Sequence, residues 1–281
     1  MTTAAPLAEK YEQLLGTLRS MDRLIVAFSG GVDSTFLGWA AKEAVGERAL
    51  LVTADSETYP SSELGEARRL AALIGLPHTV VQTRELDNTD YARNAPDRCF
   101  FCKDALFTRL EAIGREHGGL PIVYGALMDD LGDHRPGMEA ARQKGVRAPL
   151  IEAELWKEEV RVLSREAGLP TWDKPSFACL SSRFQYGDPI TAEKLRRVDE
   201  AEAFLRTLGF SQFRVRHHDR LARIELSLPE MERLWQAGLR EVILTRFRAL
   251  GYAYVTLDLQ GFRSGSANEM LQWIGKKSRR S

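Results

Sequence analysis

The apolar run Leu24-Ile25-Val26-Ala27-Phe28 passes through Ser29-Gly30-Gly31-Val32-Asp33 directly into a helical period from Ser34 to Val45. A buried strand feeding a glycine-bearing turn and then a helix leaves few folds open. Further β-rich runs at Ala49–Thr53, His78–Gln82 and Ile122–Tyr124 alternate with helical periods at Ser61–Ile74 and Lys103–Glu116, and an amphipathic helix, Leu7–Ser20, precedes them. Such alternation predicts an α/β fold: a doubly wound parallel sheet with helices on both faces and ligands outside the carboxyl ends of the strands.

The pattern changes near residues 150–190. Lys157–Ala167 is helical, then Thr171–Ser176 and Arg183–Pro189 read as loops flanking Cys179. A new cycle follows: helix Ala192–Leu208, strands Phe213–His217 and Leu221–Leu226, helices across Pro229–Leu250 and strand Tyr252–Leu257. With 281 residues, two domains are expected. The expected division is a first domain over 1–170, a cysteine-bearing active-site loop over 171–190, a smaller α+β domain over 191–268 for substrate or oligomer contacts, and a flexible basic tail over 269–281. The stripe Leu234, Trp235, Leu239, Val242, Ile243, Phe247 and Leu250 reads as core of that second domain.

Hydrophobic residues are 44% and charged residues 28%, an ordinary globular balance. No apolar run approaches the roughly 20 residues of a membrane helix, and the first residues lack a signal-peptide pattern, so a cytoplasmic protein is expected. Lysine plus arginine and aspartate plus glutamate are 39 each, a zero net charge that argues against a wholesale nucleic-acid binder. The charge is uneven: residues 192–281 carry 17 basic against 11 acidic side chains, hence +6, which favours an anionic ligand near the C-terminal part.

Two glycines at a strand-to-helix turn let backbone N–H groups approach a phosphate, and the helix N-terminus adds partial positive charge. Ser29, Ser34 and Thr35 add hydroxyl donors. A simple capping turn with Asp33 or Ser34 as N-cap accounts for any one of these residues but not for all of them in this place. The loop carries neither the Walker pattern nor the dinucleotide fingerprint.

Three cysteines cannot make a disulfide framework. Cys99-Phe100-Phe101-Cys102 lies just ahead of a predicted helix, and Cys179 stands alone between Lys174 and Arg183. A redox dithiol, a zinc site completed by His78, His134, His217 or His218, and an iron–sulfur cluster on three thiolates with one iron open all remain in play. Cys179 could also be a small buried core residue. Against that, Lys174, Ser181, Ser182 and Arg183 around it look like anion-site chemistry. Arg214 and Arg216 alternate on one predicted strand, so both guanidinium groups share a face suited to phosphate; a solvated face paired with Glu225 is the plainer alternative. His217 and His218 face opposite ways on that strand and make a poor chelating pair. Asp129, Asp130 and Asp133 with Arg135 could shape a nucleotide site or be an ordinary acidic turn.

Ser29-Gly30-Gly31-Val32-Asp33-Ser34 resembles the signature of the PP-loop ATP pyrophosphatases. That resemblance implies an adenine nucleotide alpha-hydrolase-like fold, ATP cleaved between its α and β phosphates, and Mg²⁺ held with the help of Asp33. Three further segments, Asp129–Gly137, Lys174–Arg183 and Leu257–Ser266, resemble the LarE family of sulfur transferases, which make the nickel-pincer nucleotide cofactor of lactate racemase and related enzymes. The chain departs from the family pattern at Ala126-Leu127-Met128, where an Asn-containing segment is more usual.

The resemblance implies a small nucleotide substrate, pyridinium-3,5-biscarboxylic acid mononucleotide, whose carboxylates are adenylylated and converted to thiocarboxylates. It implies ATP contacts from Ala27, Ser29, Gly30, Gly31, Asp33, Ser34, Thr35 and Asp129, and substrate-phosphate contacts from Lys103, Ser182, Arg183, Arg214 and Arg216. Glu202 would contribute to a metal site near Cys179. One version of the family sacrifices the sulfur of the cysteine matching Cys179; the other adds a Cys-x-x-Cys and carries a [4Fe-4S] cluster. Cys99 and Cys102 place this chain with the second, with sulfur from sulfide or another donor carried on the open iron. A homo-oligomer, a hexamer in particular, is implied as well. The alternatives are a tRNA-thiolating PP-loop enzyme and a zinc-stabilised nucleotide sensor.

Overall fold

In the computed structural model, which describes residues 6–132, 135–175 and 178–263, the first apolar run forms β1 (Leu24–Ala27), preceded by α1 (Leu7–Arg19). Then come α2 (Val32–Val45), β2 (Ala49–Asp55), α3 (Ser61–Ile74), β3 (His78–Gln82), α4 (Thr89–Ala92), α5 (Arg98–Glu116) and β4 (Ile122–Tyr124). The series continues with α6 (Pro136–Gln143), α7 (Pro149–Glu152), α8 (Lys157–Glu166), α9 (Ala192–Thr207), β5 (Phe213–His218) and β6 (Leu221–Leu226), and closes with α10 (Leu228–Met231), α11 (Leu239–Ala249) and β7 (Tyr254–Leu257). The described residues fall into two units: 6–88 with 97–175, and 89–96 with 178–263. No described helix is long and apolar enough to cross a membrane.

In the first unit β3-β2-β1-β4 form one parallel sheet. Leu24 and Val26 point into a core shared with α1, α2, α3 and α8, whereas Ile25 points into a second core with Phe107 and Leu110 of α5 and Ala141 of α6. A strand apolar at every position is thus buried on both faces, as a parallel strand must be. The chain runs outward from β1 to β3 and then returns to the other side of β1 as β4, so the order reverses between β1 and β4. Ligands of open α/β sheets bind at such a reversal.

The second unit is α+β. β5 and β6 form an antiparallel hairpin, β7 pairs parallel to β6, and Ala201, Leu205, Phe213, Val215, Ile243 and Phe247 share one core. Both sheets agree with the alternation of the sequence.

Several details differ from the sequence reading. The helix after the phosphate loop starts at Val32 with Gly31 as N-cap, so Asp33 and Ser34 lie in its first turn and cap nothing. α5 starts at Arg98, which puts both cysteines of the pair inside the helix instead of ahead of it. α6 occupies a stretch to which the sequence reading assigns no element; its proline sits in the first turn, where a missing N–H costs no hydrogen bond. Trp235 and Val242 are 73% and 48% exposed, not core. A 3-10 turn over Glu232–Trp235 and Gly238 at φ 79° separate Trp235 from α11, and within α11 Val242 lies off the face that buries Ile243 and Phe247.

His217 is buried in the second unit beside Tyr252, with 3.2 Å between its Nδ1 and the phenol oxygen. Burial, and then the positive charge of Lys194 and Arg197, lowers its pKa to about 4. Unfolded histidine titrates near 6.5, so between those values the unfolded chain binds more protons and stability falls as the pH drops. The full contribution is present above about pH 6.5 and is on the order of 3 kcal/mol as an upper bound. Urea melts at pH 7 and pH 4.5 are expected to show a steeper acid loss for the wild type than for His217→Gln; equal slopes would remove His217 as the cause.

Candidate active site

The phosphate loop sits at the carboxyl end of β1, where the sheet order reverses. Gly30 has φ 68°, and a Cβ there would come 3.2 Å from the Cα of Ala67 on α3, so both the backbone and the close packing require glycine. The loop is tied internally. The Ser29 N–H donates to Ser34 Oγ at 3.1 Å, the two serine Oγ atoms are 3.0 Å apart, and Tyr59 donates its hydroxyl to the Ser29 carbonyl. The first N–H groups of a helix have no partner within the helix and are available to an anion. Thr35 Oγ1 is buried with no hydrogen-bond partner among the described residues. On the far side, a Cβ at Gly125 would lie 3.0 Å from the backbone of Asp33 and Ser34, so the segment leaving β4 packs directly on the start of α2.

Two lysines flank this loop. Lys157, the first residue of α8, places Nζ 2.7 and 2.9 Å from the two carboxylate oxygens of Asp33, and its own N–H donates to Asp129 Oδ2 at 2.7 Å. Lys174 Nζ donates to Glu63 at 2.7 Å and to the Gly30 carbonyl at 3.2 Å. Burial raises the Asp33 pKa; Lys157 opposes that rise and the charge of Asp130 adds to it. Asp130 accepts from the Leu127 N–H at 2.9 Å and pairs with Arg135 at 2.5 Å. Asp133 and His134 lie outside the described residues, as do Ser176, Phe177 and residues 264–281 with the proposed tail.

Of the expected ATP set, Ala27, Ser29, Gly30, Gly31, Asp33, Ser34 and Thr35 are contiguous around the loop, and Asp129 reaches it through Lys157. In the sequence reading Lys157 figures only as the first residue of a helical period. A lysine in the first turn opposes the helix dipole, and that misfit was the available signal. Lys174 was read with Cys179, since nothing in the sequence placed it on Gly30. Lys103 lies on α5 with its ammonium 6.0 Å from the Phe107 ring centre.

In the second unit the segment bearing Cys179 is held by Arg183. Its guanidinium donates to the carbonyls of Ala178 at 2.6 Å and Cys179 at 2.9 Å, and forms a two-pronged ion pair with Glu202 at 2.9 and 2.8 Å. Both partners are 3% exposed. Burial alone would raise Glu202; the Arg183 charge and the N–H of Val215, 2.9 Å away, more than offset it and hold the carboxyl low. Both Glu202 oxygens are therefore engaged by protein donors.

Arg216 forms a second two-pronged pair, with Glu225 at 2.9 Å twice, and donates to the Ser182 carbonyl at 2.7 Å. Ser182 Oγ accepts from Arg183 at 3.0 Å, and Ser181 bonds the Tyr91 hydroxyl. Arg214 differs: it donates to its neighbour's carbonyl at 2.7 Å and stacks 4.9 Å from the Phe262 ring centre. Burial, then the positive charge of Arg183, lowers it to about 10. Among the three arginines it is the one with no carboxylate of the described residues at bonding distance, and so the one whose charge is least neutralised.

Cys99 is exposed and Cys102 and Cys179 are half-buried. Three residues apart on α5, the first two share a helix face. Among the described residues no three His, Cys, Asp or Glu side chains stand together as a metal-holding group. His78, one of the candidate zinc ligands, has Nε2 2.9 Å from Thr53 Oγ1.

Residues 15–110 match the asparagine synthase family model. An uncharacterized protein of Synechocystis sp. is 44% identical over 94% of this chain and 99% of its own length. The glutamine-hydrolyzing GMP synthase of Aeropyrum pernix is 30% identical over 65% of this chain and 39% of its own length. The pyridinium-3,5-bisthiocarboxylic acid mononucleotide synthase of Lactiplantibacillus plantarum is 37% identical over 95% of this chain and 96% of its own length. A match of that extent takes in the phosphate loop at the sheet's reversal point and most of the second unit, and the chain belongs to the LarE family of that synthase.

Proposed function

We propose that this protein is an ATP-dependent sulfur transferase that turns the carboxylates of pyridinium-3,5-biscarboxylic acid mononucleotide into thiocarboxylates. The observation that carries the reading is the near full-length match to a synthase whose name states that product, on a chain whose phosphate loop is intact. ATP with Mg²⁺ is the cosubstrate that a loop of this class uses. A carboxylate oxygen of the substrate attacks the α-phosphorus, the bond to the β-phosphate oxygen breaks, and pyrophosphate leaves. A hydrosulfide sulfur then attacks the acyl carbon and AMP departs, with the hydrosulfide proton going to solvent. A free carboxylate is a poor electrophile, and the fixed N–H and hydroxyl donors of Gly31 through Thr35 stabilise the charge that develops in the first step. Asp33 helps to hold Mg²⁺.

Cys99, Cys102 and Cys179 are assigned as the thiolate ligands of a [4Fe-4S] cluster. The accessible thiol pair on one helix turn has the donor chemistry for this, and the Arg183 clamp fixes the backbone of the third. The cluster would supply an open iron site that carries sulfide. Arg214, with its charge least neutralised, is assigned to the substrate phosphate, with Lys103 and Ser182 as further contacts; Arg183 and Arg216 serve by holding Ser182. A homo-oligomer is the proposed assembly.

The test is iron and acid-labile sulfide per chain in anaerobically purified wild type and Cys99→Ala, together with pyrophosphate release on addition of the dicarboxylate. About four irons and four sulfides, lost in the variant, are expected. No iron, with Cys179 converted to dehydroalanine in turnover, would make Cys179 the sacrificed sulfur source. No substrate-dependent pyrophosphate would overturn the reading itself.

A further inference from the structure

Lys157 stands where a cation is disfavoured, in the first turn of α8 at the positive end of the helix dipole. Its backbone is anchored on two sides. The N–H donates to Asp129 at 2.7 Å, and the preceding Trp156 N–H donates to Glu159 at 2.9 Å, itself bonded to buried Lys10 at 2.8 Å. Only the side chain is left to change partners, and its ammonium is committed to both oxygens of Asp33. The two side chains of this pair are only 24% and 27% exposed, so the Asp33 carboxylate without a cation beside it would be poorly tolerated. Arg161 adds a weaker positive field and Asp130 a negative one.

We propose that Lys157 is an exchangeable counter-ion: it neutralises Asp33 while the loop is empty, then yields that carboxylate to the divalent cation of incoming Mg·ATP and pairs with the polyphosphate. The proposal rests on Asp33 being a ligand of that cation. Its consequence is that the metal and the nucleotide must arrive together. The empty loop offers a carboxylate already taken, whereas a polyphosphate gives the ammonium a more negative partner than the one it leaves.

The experiment is titration of Mn²⁺, followed by electron paramagnetic resonance, with and without α,β-methylene-ATP, on wild type, Lys157→Met, Lys157→Arg, Asp33→Asn and the double variant D33N/K157M. Wild type and Lys157→Arg are expected to bind Mn²⁺ weakly without nucleotide. Lys157→Met is expected to bind it roughly tenfold tighter, the strength of one partly screened ion pair, and D33N/K157M to lose that gain. With ATP, Lys157→Met is expected to reduce kcat for pyrophosphate release about 10²-fold while KM changes little, the pattern of a contact strengthened in the transition state. If Lys157→Met binds Mn²⁺ no tighter than wild type while Asp33→Asn still abolishes nucleotide-dependent Mn²⁺ binding, the exchange is wrong and the metal assignment stands. If Asp33→Asn binds Mn²⁺ with the analogue as wild type does, the metal assignment fails instead.

Discussion

Glu202→Gln is expected to lower the free energy of unfolding by about 3–5 kcal/mol, because removing one partner of a buried ion pair leaves the other charge uncompensated. Arg183 would then be a guanidinium 3% exposed with no carboxylate within reach of its two-pronged face, and the Val215 N–H would lose its acceptor. The loss is not only global. Arg183 is also the donor for the carbonyls of Ala178 and Cys179, so a displaced guanidinium releases the segment that presents the cysteine. Urea denaturation of wild type, Glu202→Gln, and the double variant R183M/E202L separates the two effects. The double variant removes both charges and is expected to regain much of the stability, since apolar replacement of a buried pair is often neutral or better. It should not regain turnover. A Glu202→Gln melt within about 0.5 kcal/mol of wild type would mean that the pair is not buried in solution.

Gly30→Val is expected to reduce pyrophosphate release by about 10²–10³-fold, the scale of losing a fixed donor at a developing oxyanion. Valine is strained at φ 68°, and its Cβ would press on the Cα of Ala67, which is backbone of α3 and cannot swing aside. Gly31→Ala is the control. Gly31 lies at φ −77°, and its added Cβ would meet only the Ser29 hydroxyl at 3.5 Å, an ordinary contact. If both variants lose activity equally, the loop tolerates no side chain at all and the φ argument is not the reason. If neither does, the loop does not bind the phosphates.

What the sequence disclosed follows the physics of each signal. A strand apolar on both faces, a glycine turn and a helical period are local patterns, and β1, the loop and α2 follow from them with an error of two residues at the helix start. The cysteine pair was placed ahead of α5 because Arg98, Cys99 and two phenylalanines carry no capping signal, although the helix begins there. Ion pairs between distant elements leave no periodic trace. Arg183 with Glu202, 19 residues apart, and Lys157 with Asp33, 124 apart, are set by tertiary packing and could be found only in three dimensions. The alternation of Arg214 and Arg216 was visible, but not that Glu225, register partner of the first, would bond the second.

Residues 89–96 belong with the second unit although they are threaded through the sequence of the first. Tyr91 and Asn94 there are essentially inaccessible; Tyr91 meets Ser181, and Asn94 donates to the Gln185 carbonyl at 2.7 Å. The C-terminal half is consequently not a transplantable cassette. A gene fragment starting after residue 177 would encode a protein missing part of its own interior, and a single proteolytic nick near that point would not release two independent bodies. During synthesis, this short stretch leaves the ribosome some ninety residues before its partners exist, so the N-terminal half must carry it unsatisfied until translation is well past the cysteine.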